Sequence, residues 1–189
     1  MFLADKAATV HKALAALRCR LGKDLALYKE DDLAWCWVTD FPLLEFSEQD
    51  WDEVMNVNIR AAFLLSQAAA RVFVSQGGGG KIINICSMLS FQGGLYIPSY
   101  TASKSALLGV TRAMANELAP LGINVNAIAP GYFAGVGNKA IRDDPVRNQQ
   151  ILDRIPAGRW GQYEELAGLA IYLASSASDY CHGGVYPVD

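Results

Sequence analysis

At 189 residues and 52% hydrophobic, the chain has the length of one domain and enough apolar material to bury a core. Its formal net charge is -3, and its basic residues are scattered rather than massed, which excludes the electrostatic footprint of a nucleic-acid binder. No apolar run reads as long enough for a membrane span, and the first twenty residues carry internal charges without the order of a signal peptide. The expectation is a soluble, cytoplasmic protein with no nucleic-acid and no membrane partner.

In chain order, residues 9–21 read as a helix, with Leu14, Leu17 and Leu21 on one face and Gly22 closing it. Residues 34–41, "AWCWVTDF", read as a strand ended by Pro42. Ser47 then opens a second helix, because Ser47-Glu48-Gln49-Asp50 has the form of a capping box and Trp51, Val54, Met55, Ala62 and Leu65 follow at helical spacing. Asn58 shares that face, so an amide is carried toward the core, where it needs hydrogen-bond partners.

The glycine run 77–80 follows a helix and precedes a strand. A phosphate cradle needs the opposite order, so the run reads as a connection. From there the alternation is regular: strand 81–86, helix 99–119, strand 123–129, an irregular stretch, helix 163–174 and strand 185–188. Strands separated by helices imply right-handed crossovers and a parallel sheet, and the nearly continuous apolar strand at Ile82, Ile83 and Ile85 implies helices on both faces.

The four cysteines, Cys19, Cys36, Cys86 and Cys181, form no C-x-x-C pair, and His11 and His182 lie near opposite ends of the chain. Neither a metal site nor a disulfide framework is expected. Cys181 and His182 are neighbours, but adjacent side chains rarely converge, so they read as an apolar cysteine beside a surface histidine.

Chemistry gathers in the middle of the chain. Ligands of open parallel sheets bind beyond the carboxyl ends of the strands, where Ser87 and Pro130-Gly131 both fall. Tyr100 and Lys104, at i and i+4 on the helix between those strands, share a face. A free tyrosine titrates near ~10, and a nearby ammonium favours its phenolate, so such a pair can take or give a proton. Ser87 is placed to hydrogen-bond the oxygen of a substrate alcohol or carbonyl. Each of these residues has an ordinary structural use by itself. Their order, Asn58, Ser87, Tyr100, Lys104 and Pro130-Gly131, with strands and helices correctly interposed, points to one shared site.

That order resembles the short-chain dehydrogenase/reductase family, whose Asn, Ser and Tyr-x-x-x-Lys tetrad matches Asn58, Ser87, Tyr100 and Lys104. The stretches "EFSEQDWDEVMNVNIRAAF", "GGKIINICSMLSFQGG", "PSYTASKSALLGVTRAMANE" and "NVNAIAPGY" carry the likeness, which runs from about residue 45 to residue 189. It implies a Rossmann-like α/β fold, an NAD cofactor with NADP not excluded, and a small acidic sugar as substrate. It also implies a homo-oligomer, dimer or tetramer, paired through the helices that carry Asn58 and Tyr100. By resemblance, Tyr100 is the acid/base, Lys104 holds the nicotinamide ribose, Ser87 positions the substrate and Asn58 holds a relay water. Pro130 and Gly131 contact the cofactor. Arg142, Arg147, Arg154 and Arg159 follow in the region that covers the substrate, and Arg154 and Arg159 are the expected carboxylate ligands.

The resemblance also has departures. Family members open on a strand and a T-G-x-x-x-G-x-G loop, whereas Gly22 is the only glycine here before Gly77, so the dinucleotide-binding half is expected to be missing. The threonine expected shortly after Pro130-Gly131 is absent from "GYFAGVG". Residues 4–45 instead resemble a segment of the catalytic domain of bacterial aspartyl-tRNA synthetases. The two likenesses meet near residues 44–46, which divides the chain into an atypical segment at 1–45 and a dehydrogenase part at 46–189. A non-catalytic fragment acting through subunit association is the alternative to an enzyme.

Overall fold

The computed structural model describes residues 46–94 and 96–189. The helix expected at 9–21, the strand expected at 34–41 and the synthetase-like stretch lie outside the described residues. Ser47 caps the first helix, its Oγ accepting the Asp50 N–H at 3.1 Å. Helix α1 (Glu48–Met55) continues through a π-helical segment (Asn56–Ala61) into α2 (Ala62–Gln76).

The wider π turn adds a residue to the repeat and rotates the face that follows it. Val54, Met55, Asn58 and Ala62 are half-buried, as the face read from the sequence implies, whereas Trp51 at the start and Leu65 beyond the π turn depart from it. Trp51 is 38% exposed and Leu65 71%, while Ser66 and Ala70 are buried. The run Glu48–Gln76 is also long and apolar enough to cross a membrane by length and composition, contrary to the sequence expectation. Here it packs through Ala69, Ala70 and Phe73 onto the sheet and its neighbouring helix.

α2 ends at Gly77, whose φ of 70° favours glycine. Two residues on, a Cβ on Gly79 would stand 2.4 Å from the carbonyl oxygen of Gly122. The glycine run is therefore a tight turn between helix and strand, as its order implied.

Strands β1 (Gly80–Ile85), β2 (Ile123–Pro130) and β3 (Val185–Val188) form a parallel sheet in that order, with Gly80 opposite Ile123 and Ala127 opposite Val185. A short helix α3 (Leu89–Gln92) and the long α4 (Pro98–Leu118) connect β1 to β2. The stretch read as irregular contains α5 (Lys139–Asp143) and α6 (Pro145–Leu152), the latter capped by Asp144, whose carboxylate accepts the Val146 and Arg147 N–H groups. A 3-10 turn then leads into α7 (Ala167–Ala174).

One face of the sheet packs Ile82, Ile123 and Val125 against Ala70, Met114 and Ala115, and nearer the carboxyl ends Cys86, Ala127 and Ala129 meet Leu107 and Leu108. On β2 the alternate residues Asn124 and Asn126 donate to the carbonyl of Cys181, and the Asn126 amide oxygen accepts the Gly184 N–H. They pin the segment between α7 and β3. The fold is α/β and Rossmann-like. Among the described residues β1 pairs only with β2, and among them its other edge is open.

Candidate active site

The parallel ladder brings the carboxyl ends of β1 and β2 side by side: Cys86 N–H donates to Ile128 O at 2.8 Å and Met88 N–H to Pro130 O at 3.0 Å. Ser87 follows at the rim, buried, with its Oγ accepting the Leu89 N–H at 3.1 Å. Pro130 and Gly131, expected to contact a cofactor, use these backbone groups within the sheet. Gly131 N–H donates to Val188 O at 2.8 Å, and a Cβ there would meet the Asp189 side chain.

α4 starts with Pro98 in its first turn, where the missing N–H costs nothing, and presents Tyr100 and Lys104 one turn apart. The Lys104 Nζ lies 5.7 Å from the centroid of the Tyr100 ring and donates to Ile85 O at 2.8 Å. In a parallel strand alternate residues turn both backbone groups to the same side. Since Gly80 and Cys86 turn toward β2, the Ile85 carbonyl belongs to the open edge, and the ammonium caps it. Burial pushes the Lys104 pKa down, with the neighbouring Cys86 opposing, and burial pushes the Cys86 thiol up against the pull of Lys104 and Arg112.

Asn58 lies half-buried in the π-helical segment, its Nδ2 donating to Ser103 Oγ at 3.2 Å, and Ser103 Oγ donates in turn to Tyr100 O at 2.8 Å. Ser87 is joined to the same helix through Ser90, whose Oγ accepts the Ser87 N–H at 3.2 Å and donates to Lys104 O at 2.9 Å. Asn58 and the Ser87 backbone are thus each tied to the part of α4 that carries Tyr100 and Lys104, through the main-chain carbonyls of those two residues. Beside it a cleft of about 430 Å³ opens, lined by Asn58, Ser66, Ile83, Ile85 and Lys104 among others. Sequence reasoning missed Ser90 and Ser103. A serine that bonds a carbonyl three residues back is common in helices, and nothing in the sequence marks its other partner.

Three of the four arginines make hydrogen bonds within their own region. Arg159 is exposed and forms a two-pronged pair with Glu165, Nη1 to Oε2 at 2.8 Å and Nη2 to Oε1 at 2.5 Å. The same carboxylate accepts the Gln162 N–H, and these contacts hold the Glu165 pKa down at about 2. Arg142 donates to Gly135 O and Arg147 to Gln150. Arg154 is exposed. Cys181 and His182 diverge as expected: the thiol meets the Tyr172 hydroxyl at 3.3 Å, and the imidazole meets Asn124.

Among the described residues, the nicotinamide-ribose end of a dinucleotide is the part these groups fit. The Lys104 ammonium has three protons, of which the Ile85 carbonyl takes one. No strand, glycine loop and helix in that order stands among them to cradle a pyrophosphate.

The described residues form a parallel α/β sheet with serine, tyrosine and lysine at its carboxyl rim. The family model described as enoyl-(acyl carrier protein) reductase matches residues 32–189, and the chain belongs to this short-chain dehydrogenase/reductase family. That match begins ahead of the junction read at residues 44–46. The chain is 63% identical over 146 residues to the 2-dehydro-3-deoxy-D-gluconate 5-dehydrogenase of Escherichia coli K12, covering 77% of this chain and 58% of the relative. It is 54% identical over 145 residues to the enzyme of the same name from Bacillus subtilis 168, covering 77% and 57%. A crystal structure of a gluconate 5-dehydrogenase from Burkholderia cenocepacia, in complex with NADP and tartrate, superposes with a TM-score of 0.76 at 44% identity, covering 79% of this chain and 58% of that one. The chain therefore spans a little under three fifths of the length of these relatives.

Proposed function

We propose that residues 46–189 form the catalytic part of an NAD(P)-dependent oxidoreductase that interconverts a hydroxyl and a ketone on an acidic deoxy-keto sugar of the 2-dehydro-3-deoxy-D-gluconate class. The observation that supports this reading is the pair of serine links that tie Asn58 (through Ser103) and the Ser87 backbone (through Ser90) to the part of α4 carrying Tyr100 and Lys104. The names of the relatives support the substrate class. The bound nicotinamide would supply or accept the hydride.

The chain's own groups handle the oxygen and its proton. Ser87 donates a hydrogen bond to the substrate oxygen, and the Tyr100 hydroxyl gives that oxygen a proton or takes one from it. The charge of Lys104 stabilises negative charge on the phenol oxygen while its remaining protons hold sugar hydroxyls. Asn58, fixed through its Nδ2 on Ser103, turns its amide oxygen to a relay water. Arg154 meets the substrate carboxylate, whereas the Glu165 pair holds Arg159. The exposed apolar residues Val57, Leu64 and Leu65 support a homo-oligomer, and the enzyme acts in the cytoplasm.

Residues 1–45 we read as a segment of different origin, joined near residues 44–46. A sequencing read of the source locus that passes unbroken through the junction rules out an assembly error, and one that splits there removes the reading of the whole chain as one natural protein. The activity itself is tested by titrating the purified chain with NADH and following cofactor fluorescence, then assaying keto-deoxy sugar acids. Saturable binding followed by turnover would support the enzyme reading. Absence of binding at millimolar cofactor would favour the alternative, a fragment that acts only through subunit association.

A further inference from the structure

We propose that Ser90 is a positioning residue of this site, locking the loop that bears Ser87 to the turn of α4 that bears Lys104. One hydroxyl makes both contacts, accepting the Ser87 N–H at 3.2 Å and donating to Lys104 O at 2.9 Å. The Ser90 carbonyl in turn accepts the Ser105 Oγ at 3.2 Å, a second tie to the same turn. A helix carbonyl has two lone pairs, so Lys104 O takes Ser90 without giving up its place in α4. Without the Ser90 hydroxyl the Ser105 bond remains as a tie between this loop and the turn, and loop and helix hold each other less firmly. Displacements near 1 Å between reacting groups are enough to lower a rate about a hundredfold.

The helix offers its own control. Thr111, fully buried two turns on, accepts from Asn84 Nδ2 at 2.9 Å and donates to Leu107 O at 2.8 Å. It joins strand to helix with the same chemistry but touches none of the candidate groups. The importance of Ser90 rests on the oxidoreductase reading, whereas its geometry can be measured without turnover.

The test compares the full chain with Ser90→Ala, Ser90→Thr and Thr111→Val by NMR, reading amide hydrogen exchange at Ser87 and cross-relaxation between the Tyr100 ring and the Lys104 side chain. Ser90→Ala is expected to speed exchange at Ser87 by roughly fivefold, the loss of one hydrogen bond, and to weaken the Tyr100–Lys104 contact. Ser90→Thr should restore both, and Thr111→Val should lower the melting temperature while leaving both unchanged. An unchanged Ser87 amide and Tyr100–Lys104 contact in Ser90→Ala, or the same response in Thr111→Val, overturns the proposal. Should Ser90→Ala fail to fold, Ser105→Ala slackens the same tie and is expected to show the pattern at roughly twofold size; no change there overturns it equally. A wild-type chain that binds no NADH refutes the oxidoreductase reading and leaves the Ser90 result standing.

Discussion

The two edges of β1 meet different surroundings. Toward β2 the strand is in register from Gly80 to Ile85, and the residues behind that register, Ile123, Val125 and Ala127, are wholly buried. On the other edge Ile85 is 50% exposed, its carbonyl is held by Lys104, and the exposed Val57 and Leu65 line the neighbouring cleft. The closed edge carries stability. The open edge holds the Lys104 ammonium beside Tyr100, and its backbone, which no strand among the described residues pairs, and apolar side chains offer a template for association.

The largest expected contrast is in stability. Ile123→Ala should cost about 3 kcal/mol in urea unfolding, because a fully buried side chain leaves a cavity, whereas Ile85→Ala should cost under about 1 kcal/mol. Equal losses would mean that Ile85 is covered in solution. Association should follow the open edge: the chain is expected to sediment as oligomers or aggregates, and Ile83→Lys to shift it toward monomer, since an edge lysine opposes strand addition. A wild-type chain that sediments as a uniform monomer and melts cooperatively would show that the edge is not adhesive.

The smallest effect concerns Lys104. Burial sets its folded pKa below the ordinary 10.5, so the cost of the buried charge is fully present below the folded value and fades as the pH rises toward 10.5. Lys104→Met should therefore stabilise the fold at pH 7, by under about 1 kcal/mol because solvent screens a group buried only in part. The gain should shrink toward pH 10.5 in parallel melts. A gain that grows with pH would reverse the assigned cause.

Much of the fold was legible because its signals are local. The cap at Ser47, the glycine at the end of α2 and the buried run of β2 each depend on residues close in sequence. α5 and α6 were not legible, since five- and eight-residue helices show too few turns for a periodicity, although Asp144-Pro145 marks the start of α6. Nor was the face of α2 beyond Ala62, because a π turn changes the phase of the repeat without a residue that announces it. The tetrad was readable as an order of residues. Its bonding was not, because Ser103 and Ser90 join it through contacts that cross elements.

By itself, then, the amino-acid sequence determined the alternation of strands and helices, the order of Asn58, Ser87, Tyr100 and Lys104 along it, and the absence of a glycine fingerprint ahead of Gly77. Tertiary structure alone decided that Lys104 caps the open edge of β1, that Glu165 holds Arg159, and that Ser90 ties Ser87 to α4. The reason is physical. Periodicity and caps act over a few residues along the chain, whereas these three contacts depend on where a side chain ends in space, which only the packed sheet and helices determine.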